Sequence, residues 1–311
     1  MTPQMKRWLA GAGASAVLLL GAAVGALEGD GAVLLLGALG LGGRVEVSGN
    51  GLDATSATTD EWFVAYGNER EVVDRYAAQL GDRLGRRPTR DLRVWCSWYS
   101  LYRTITEPAL HAIVDELDGF AFDVVQVDDG WQRGVGDWQP NGDFPSGMAA
   151  LANQIRRAGY RPGLWLAPFL GHEQSDVVRD HPDWLLRDGD GVPVPAGWNW
   201  GGQVHALDVT HPAALEHILD VVGRVVAWGY DYLKLDFIYA GALPGVRHEP
   251  IDRHAGYRRA VERIRSLVGD DVVLVACGAP VIPSIGVFDA IRIGPDVSET
   301  WENAAAFSCD L

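Results

Sequence analysis

The part of the chain that follows residue 91 alternates short apolar segments with segments of helical periodicity. Because continuous apolar strands crossed over by helices must be covered on both faces, this pattern predicts a parallel α/β sheet. Thr106 and Thr210 are candidate N-caps of the first and third helices. The helices are predicted at residues 107–117, 148–158, 212–228 and 253–268. The strands are predicted in DLRVWCSWY, FDVVQVDDGW, RPGLWLAPF, YDYLKLDF, DVVLVACG and DAIRIGPDV.

Two parallel folds fit this alternation, a doubly wound sheet and a (β/α)8 TIM barrel. The barrel is favoured because polar residues follow five different strands instead of gathering at one switch point, and because the sequence has no Gly-rich phosphate loop. A barrel needs eight strands in about 250 residues. Residues 92–311 supply six, so we expect an incomplete barrel whose first and sixth strands have unpaired edges.

Charge and cysteine content exclude several classes of partner. The formal net charge of -15 argues against nucleic acid and anionic membrane surfaces, which both select clusters of Lys and Arg. Cys96, Cys277 and Cys309 are odd in number and widely spaced, so they predict neither a disulfide framework nor a zinc site. We therefore expect a neutral small-molecule substrate, no metal and no cofactor. The histidines, which show no metal-binding spacing, include His172, His181, His205, His211 and His248.

The N-terminal region allows two interpretations. Lys6 and Arg7 precede twenty uncharged residues, 8–27, as in a signal peptide or membrane anchor. A second apolar run at residues 32–43 follows the turn-like EGDG, and the two runs together predict a β-hairpin. We favour the hairpin and a cytoplasmic protein, with secretion as the alternative.

Charged residues cluster where the predicted parallel strands end. Lys234 and Asp236 are two residues apart, so their side chains point to the same face of a strand. Their simplest role is a structural ion pair, but the carboxyl ends of barrel strands all face one crevice. A neutral polyol could be held there by charged hydrogen bonds while two acids perform acid/base chemistry. The clustered residues are Asp128, Asp129, Lys234, Asp236, Arg292 and Asp296.

The twelve tryptophans also suit a sugar site, because an indole can pack on the apolar face of a pyranose. Trp98 and Trp165 are predicted to face the sugar, whereas Trp95 is expected in the core. Asp137 and Asn141 are further candidates for substrate contact.

Taken in order, the motifs resemble the retaining α-galactosidases of glycoside hydrolase family 36, which are related to families 27 and 31. The resemblance covers residues 60–302 and rests on WCSWY, DDGWQ, GDW, FPSGM, GLWLAPF, HPDW, KLDF, CGAP and RIGPDV. It implies a (β/α)8 barrel at residues 92–311, a helical linker at 61–91, and the end of a β-sandwich domain at 1–60. It also implies a small-molecule α-galactoside as substrate and a homo-oligomer as one assembly state.

The resemblance assigns roles to individual residues. Asp236 becomes the nucleophile, which we expect Lys234 to keep ionised, and Asp296 the general acid/base, which must hold a proton at first. Arg292 is expected to point at the substrate or at Asp236, not at Asp296. The remaining residues hold sugar hydroxyls, orient the acids or line the sugar subsite: Asp128, Asp129, Trp165, Lys234, Cys277 and Arg292.

Other functions remain open at this point. The same residues would serve a raffinose-type galactosyltransferase or an α-N-acetylgalactosaminidase, which differs at the sugar 2-position, where Cys277 is expected. A Mg²⁺ site is disfavoured because the ammonium of Lys234 repels a divalent cation. A non-catalytic sugar-binding remnant is a third class, since a sixth strand at a barrel edge would hold Asp296 loosely.

Overall fold

We describe a computed structural model in which residues 17–18, 23–29, 31–48, 51–56, 60–88, 91–294 and 296 are placed. The chain divides into two units, with the boundary between Arg87 and Pro88. None of the described helices is both long enough and apolar enough to cross a bilayer.

The N-terminal unit contains two antiparallel sheets and one helix. The four-stranded sheet has the order β1–β2–β3–β6, and β4 pairs with β5 in a separate hairpin. Helix α1 packs Val72, Tyr76 and Leu80 inward, and the Tyr76 hydroxyl donates to the carbonyl of Ala38 at 2.9 Å. The elements are β1 Val17–Leu18, β2 Val24–Gly29, β3 Ala32–Ala38, β4 Gly43–Ser48, β5 Gly51–Ser56, β6 Trp62–Gly67 and α1 Glu69–Leu84.

The predicted N-terminal hairpin is confirmed by the pairing of β2 with β3, whose register brings Gly29 opposite Ala32. Gly31 closes the turn with φ at 71°, a conformation that glycine adopts without steric cost. Residues 8–16 and 19–22 of the first apolar run lie outside the described residues. The helical linker was predicted to begin at residue 61. Residues 62–67 instead form strand β6, which pairs with β3, and helix α1 begins at Glu69.

All six predicted strands of the C-terminal unit are confirmed, and they form one parallel sheet. Its order is β7–β8–β9–β13–β14–β15, so strands that follow one another in the barrel pattern are hydrogen-bonded neighbours. The sheet curls as six strands of a (β/α)8 barrel do. Its strands are β7 Val94–Cys96, β8 Val124–Val127, β9 Arg161–Leu166, β13 Tyr232–Leu235, β14 Val273–Cys277 and β15 Ala290–Arg292.

The four predicted helices are present. Thr106 caps α3 as predicted, since its hydroxyl accepts from the Ala109 N–H. The expected cap Thr210 is replaced by His211, because the Thr210 hydroxyl is bonded to Asp208. The long helices are α3 Glu107–Glu116, α4 Met148–Arg157, α6 Pro212–Ala227 and α7 Arg253–Val268, and the short ones are α2 Trp98–Leu101, α5 Asp176–Asp180 and α8 Val281–Ser284.

A small antiparallel sheet between β9 and α6 was not predicted. It contains β10 Leu170–His172, β11 Pro195–Asn199 and β12 Gly202–Ala206, with β12 in the centre. The β11–β12 turn places Trp200 at φ 53° and Gly201 at φ 81°, the positive values that a two-residue hairpin turn with matching twist requires. This hairpin projects Trp200 towards the carboxyl ends of the barrel strands.

A buried ion pair fixes the last strand of the sheet. The Arg265 guanidinium of α7 donates to Asp289 at 2.6 Å, and the same carboxylate accepts from the Leu274 N–H of β14 at 2.8 Å. The side chains of Asp289 and Arg265 are only 2% and 11% exposed. The start of β15 is thereby tied to both α7 and β14.

We therefore expect Asp289→Ala to lower the free energy of unfolding by about 3 kcal/mol, because it leaves the Arg265 charge buried without its carboxylate. Urea unfolding followed by circular dichroism measures the change. Asp271→Ala is the matched control, since Asp271 is exposed and should change stability by no more than about 0.5 kcal/mol. Equal stability of the two variants would contradict this account of β15.

Candidate active site

A cavity of about 590 Å³ opens at the carboxyl ends of the parallel strands. Seven of the nine predicted site residues line it, and Lys234 and Cys277 lie just behind its wall. This is where side chains from different barrel strands converge. The seven are Trp98, Asp128, Asp129, Trp165, Asp236, Arg292 and Asp296.

Lys234 joins two carboxylates at the floor of the cavity. Its ammonium lies 2.9 Å from Asp128 and 3.9 Å from Asp236, so the nearer partner is Asp128 and not the strand neighbour considered from sequence. Burial acts to lower the pKa of Lys234, but the attraction of Asp128 and Asp236 outweighs it and raises this pKa overall. The lysine is therefore a permanent positive charge between two carboxylates.

Asp128 is held by several donors besides Lys234. The Gln126 amide donates to it at 2.5 Å, and the Asp129 N–H donates to its other oxygen at 3.0 Å. The Cys96 thiol lies 3.4 Å from the same oxygen that Gln126 and Lys234 share. Asp128 is only 2% exposed, so its orientation is fixed by protein groups.

Asp236 is oriented by two N–H donors. The Trp165 indole donates to one carboxylate oxygen at 3.0 Å, and the Phe237 backbone N–H donates to the other at 2.8 Å. Phe237 has φ at 52°, an uncommon conformation for a bulky residue that turns the chain directly after β13. Trp165 lines the cavity but is only 2% exposed. Its indole N–H is therefore used to orient Asp236.

Arg292 lines the cavity but pairs with Asp296 at 2.5 Å, the contact that it was expected not to make. The cause is Cys277, whose sulfur accepts from Arg292 Nε at 2.8 Å and leaves the Nη1 end facing Asp296. Cys277 itself is 1% exposed and lies behind Arg292. Cys277 is not among the residues that line the cavity, whereas the next two residues, Gly278 and Ala279, are.

Asp129 lines the cavity with both carboxylate oxygens hydrogen-bonded. One accepts from the Gln132 amide at 2.5 Å and the other from the Trp200 indole N–H at 2.7 Å. Burial raises the pKa of Asp129, and these two donors only partly oppose that effect. Asp129 is thus a desolvated carboxylate with two defined N–H partners.

Comparison with known proteins identifies the family. A profile described as melibiase matches residues 82–257. The chain belongs to the melibiase family. The α-galactosidase TtGalA from Thermus thermophilus, solved in complex with p-nitrophenyl α-D-galactopyranoside, is 50% identical, with a TM-score of 0.83 over 91% of this chain and 58% of that one.

Two curated relatives are more distant. The α-galactosidase AgaA from Geobacillus stearothermophilus is 28% identical over 55% of this chain and 25% of its own length. An A type blood α-D-galactosamine galactosaminidase from Flavonifractor plautii is 28% identical over 61% of this chain and 19% of its own length. The chain thus spans about a quarter or less of these curated melibiase relatives.

Several cavity residues were missed from sequence, namely Arg103, Asn199, Trp200, Phe237 and Tyr239. For Trp200 a signal was present, because WNWGG combines two indoles with a Gly-Gly dipeptide, which marks a turn. Trp95 packs on the core as expected.

Asp137 and Asn141 do not reach the cavity. Asp137 accepts from the Asp176 N–H, and Asn141 donates to the Gly130 carbonyl, so both stabilise loops. Among the described residues, no group of three or more His, Cys, Asp and Glu side chains is arranged to hold a metal ion.

The thiols of Cys96 and Cys277, which lie behind the cavity wall, should be unreactive in the folded protein. Burial is the main cause that raises the pKa of Cys96 and of Cys277 to about 12, so on the order of one thiol in 10⁴ or fewer is ionised at neutral pH. In a Cys309→Ser background, we expect Ellman's reagent to label neither thiol of the native protein quickly and both after denaturation. Rapid labelling of either native thiol would show that the cavity floor is open.

Proposed function

We propose that the protein hydrolyses terminal α-D-galactosyl residues with net retention, using Asp236 as nucleophile and Asp296 as general acid/base. The observation that carries the proposal is that two of the carboxylates in one cavity, Asp236 and Asp296, lie in different settings. Asp236 is 8% exposed beside Lys234, whereas the Asp296 side chain is 42% exposed at the rim. The complexes of TtGalA with p-nitrophenyl α-D-galactopyranoside and with stachyose support the choice of sugar.

In the first step, an Asp236 oxygen attacks the anomeric carbon and the bond to the leaving oxygen breaks. Asp236 is suited to this because Lys234 stabilises its charged form, while Trp165 and Phe237 fix its plane. Asp296 gives its proton to the departing oxygen, so its ion pair with Arg292 has to open as substrate binds. The product is a galactosyl ester on Asp236 and a free alcohol.

In the second step, Asp296 is a carboxylate and takes a proton from water while the water oxygen attacks the anomeric carbon. The ester bond breaks and its electron pair returns to Asp236. Two inversions give the α-anomer of galactose. Direct attack requires the two carboxyl groups to lie about 5 to 5.5 Å apart in the sugar complex, without room for a water between them.

We also propose a cytoplasmic protein. Cys96 and Cys277 are free thiols within the described part of the chain, a state that a reducing compartment preserves.

Proton NMR of galactose released from p-nitrophenyl α-D-galactopyranoside tests the stereochemistry. We expect the α-anomer to appear first and to mutarotate later. Initial release of the β-anomer would mean that water attacks the substrate directly, which would overturn the retaining assignment. Parallel assays with the 2-acetamido analogue and with sucrose as acceptor distinguish galactosaminidase and transferase activities.

Asp236→Asn should reduce turnover by about 10⁴-fold, or roughly 5.4 kcal/mol of transition-state stabilisation, because the amide cannot form the ester. Steady-state kinetics with the same nitrophenyl substrate measures the loss. Asp128→Asn is a useful comparison, since it weakens sugar binding without removing the nucleophile.

Asp296→Ala should behave differently from Asp236→Asn. A nitrophenol leaving group needs little acid assistance, so the ester forms and then persists, because no base activates water. Azide needs no base, and we expect it to restore turnover as a galactosyl azide. If azide restores turnover to neither variant, the roles assigned to Asp236 and Asp296 are wrong.

A further inference from the structure

Trp200 lines the cavity but has no role in the proposed mechanism. It lies at the tip of the β11–β12 hairpin, and its indole N–H donates to Asp129 at 2.7 Å. The ring packs against Trp165 at a centroid distance of 6.2 Å and against Phe237 at 5.6 Å. Trp200 therefore contacts the wall carboxylate and both residues that orient Asp236.

The geometry of Asp129 shows what the indole contributes. Asp129 is 4% exposed, and each of its oxygens accepts one N–H, from Gln132 on one side and Trp200 on the other. Lys234 bonds to Asp128 instead. A carboxylate oxygen can accept more than one hydrogen bond, so the two donors hold the group and still leave acceptor capacity towards the cavity.

We infer that Trp200 is a positioning residue for Asp129, holding that carboxylate ionised and aimed at sugar hydroxyls, so that the hairpin tip sets the pH range of sugar binding. This inference rests on the proposed galactosidase function. An ionised carboxylate only accepts hydrogen bonds, and a polyol supplies the donors. Trp200 acts through Asp129, and its ring also closes the cavity on that side.

The sign of the pH effect follows from the contacts. Burial raises the pKa of Asp129, while the hydrogen bonds from Gln132 and Trp200 act to lower it. Loss of the Trp200 N–H removes one lowering contribution, so the pKa rises further. Sugar binding that needs ionised Asp129 is present above this pKa and is lost as the pH falls through it. Without the Trp200 N–H, this loss begins at a higher pH.

The neighbouring groups that also act on Asp129 are unchanged by the substitution. Asp128 repels its charge and Arg103 attracts it, and neither lies on the hairpin. Any displacement of the titration between variants is therefore assignable to Trp200.

The test compares Trp200→Phe with Trp198→Phe, the same substitution two residues away on a side chain that is 71% exposed. Calorimetry measures the binding of D-galactose from about pH 4 to about pH 8 in an Asp236→Asn background, which prevents turnover. We expect the acid midpoint of binding to move up by about one pH unit in Trp200→Phe, a tenfold change in proton affinity. Trp198→Phe should overlay the parent.

Replacement of Trp200 by benzothienylalanine, which keeps the ring shape and substitutes sulfur for N–H, provides a second variant if the Phe variant unfolds. The same upward shift is expected. Weaker binding at every pH with an unmoved midpoint would show that Trp200 only fills space and would overturn the inference.

Direct carboxyl titration separates this inference from the proposed function. A parent protein that fails to bind or cleave galactosides refutes the function. Carbon-13 NMR of Asp129, assigned by its loss in Asp129→Asn, then still reports whether the benzothienyl variant titrates at higher pH than the parent. An identical Asp129 titration in both proteins refutes the role of Trp200.

Discussion

The charge of Lys234 is the feature on which the cavity floor depends. Two carboxylates, Asp128 and Asp236, are each less than 10% exposed, and burying either charge without a partner would be costly. One ammonium within 4 Å of both makes the arrangement tolerable, and the remaining lone pairs are met by Gln126, Trp165 and backbone N–H groups. The site is a network in which each charged group is stable only because the others are present.

Local patterns in the sequence were sufficient for the barrel and for most of the cavity. The six strands were visible because each is an apolar run, and the sequence put charged residues after them at the end where parallel strands open. Seven of nine candidate residues line the cavity, and five of them are charged residues at or shortly after the end of a strand. The two that do not, Lys234 and Cys277, are buried, with Lys234 bonded to Asp128 and the Cys277 sulfur accepting from Arg292.

The hydrogen-bonding partners of the site residues could not be predicted from the sequence, because they depend on distances between strands that are far apart in sequence. Lys234 reaches across β9 to Asp128, and no spacing within β13 encodes that register. Arg292 turns to Asp296 because a sulfur on the adjacent strand takes its Nε. Trp200 arrives on a hairpin whose pairing joins β10, β11 and β12, so its position is a property of tertiary structure.

The aromatic residues behind the cavity explain why these hydrogen bonds have a fixed direction. Trp131 donates to the Trp165 carbonyl and packs against Trp138, which in turn contacts the Trp165 ring. Each indole is fully or almost fully buried, and close-packed rings of this size have no free volume in which to rotate. The N–H of Trp165 can therefore point only at Asp236. Trp200 continues these ring contacts from Trp165 to Asp129, so one packed set of rings orients both Asp236 and Asp129.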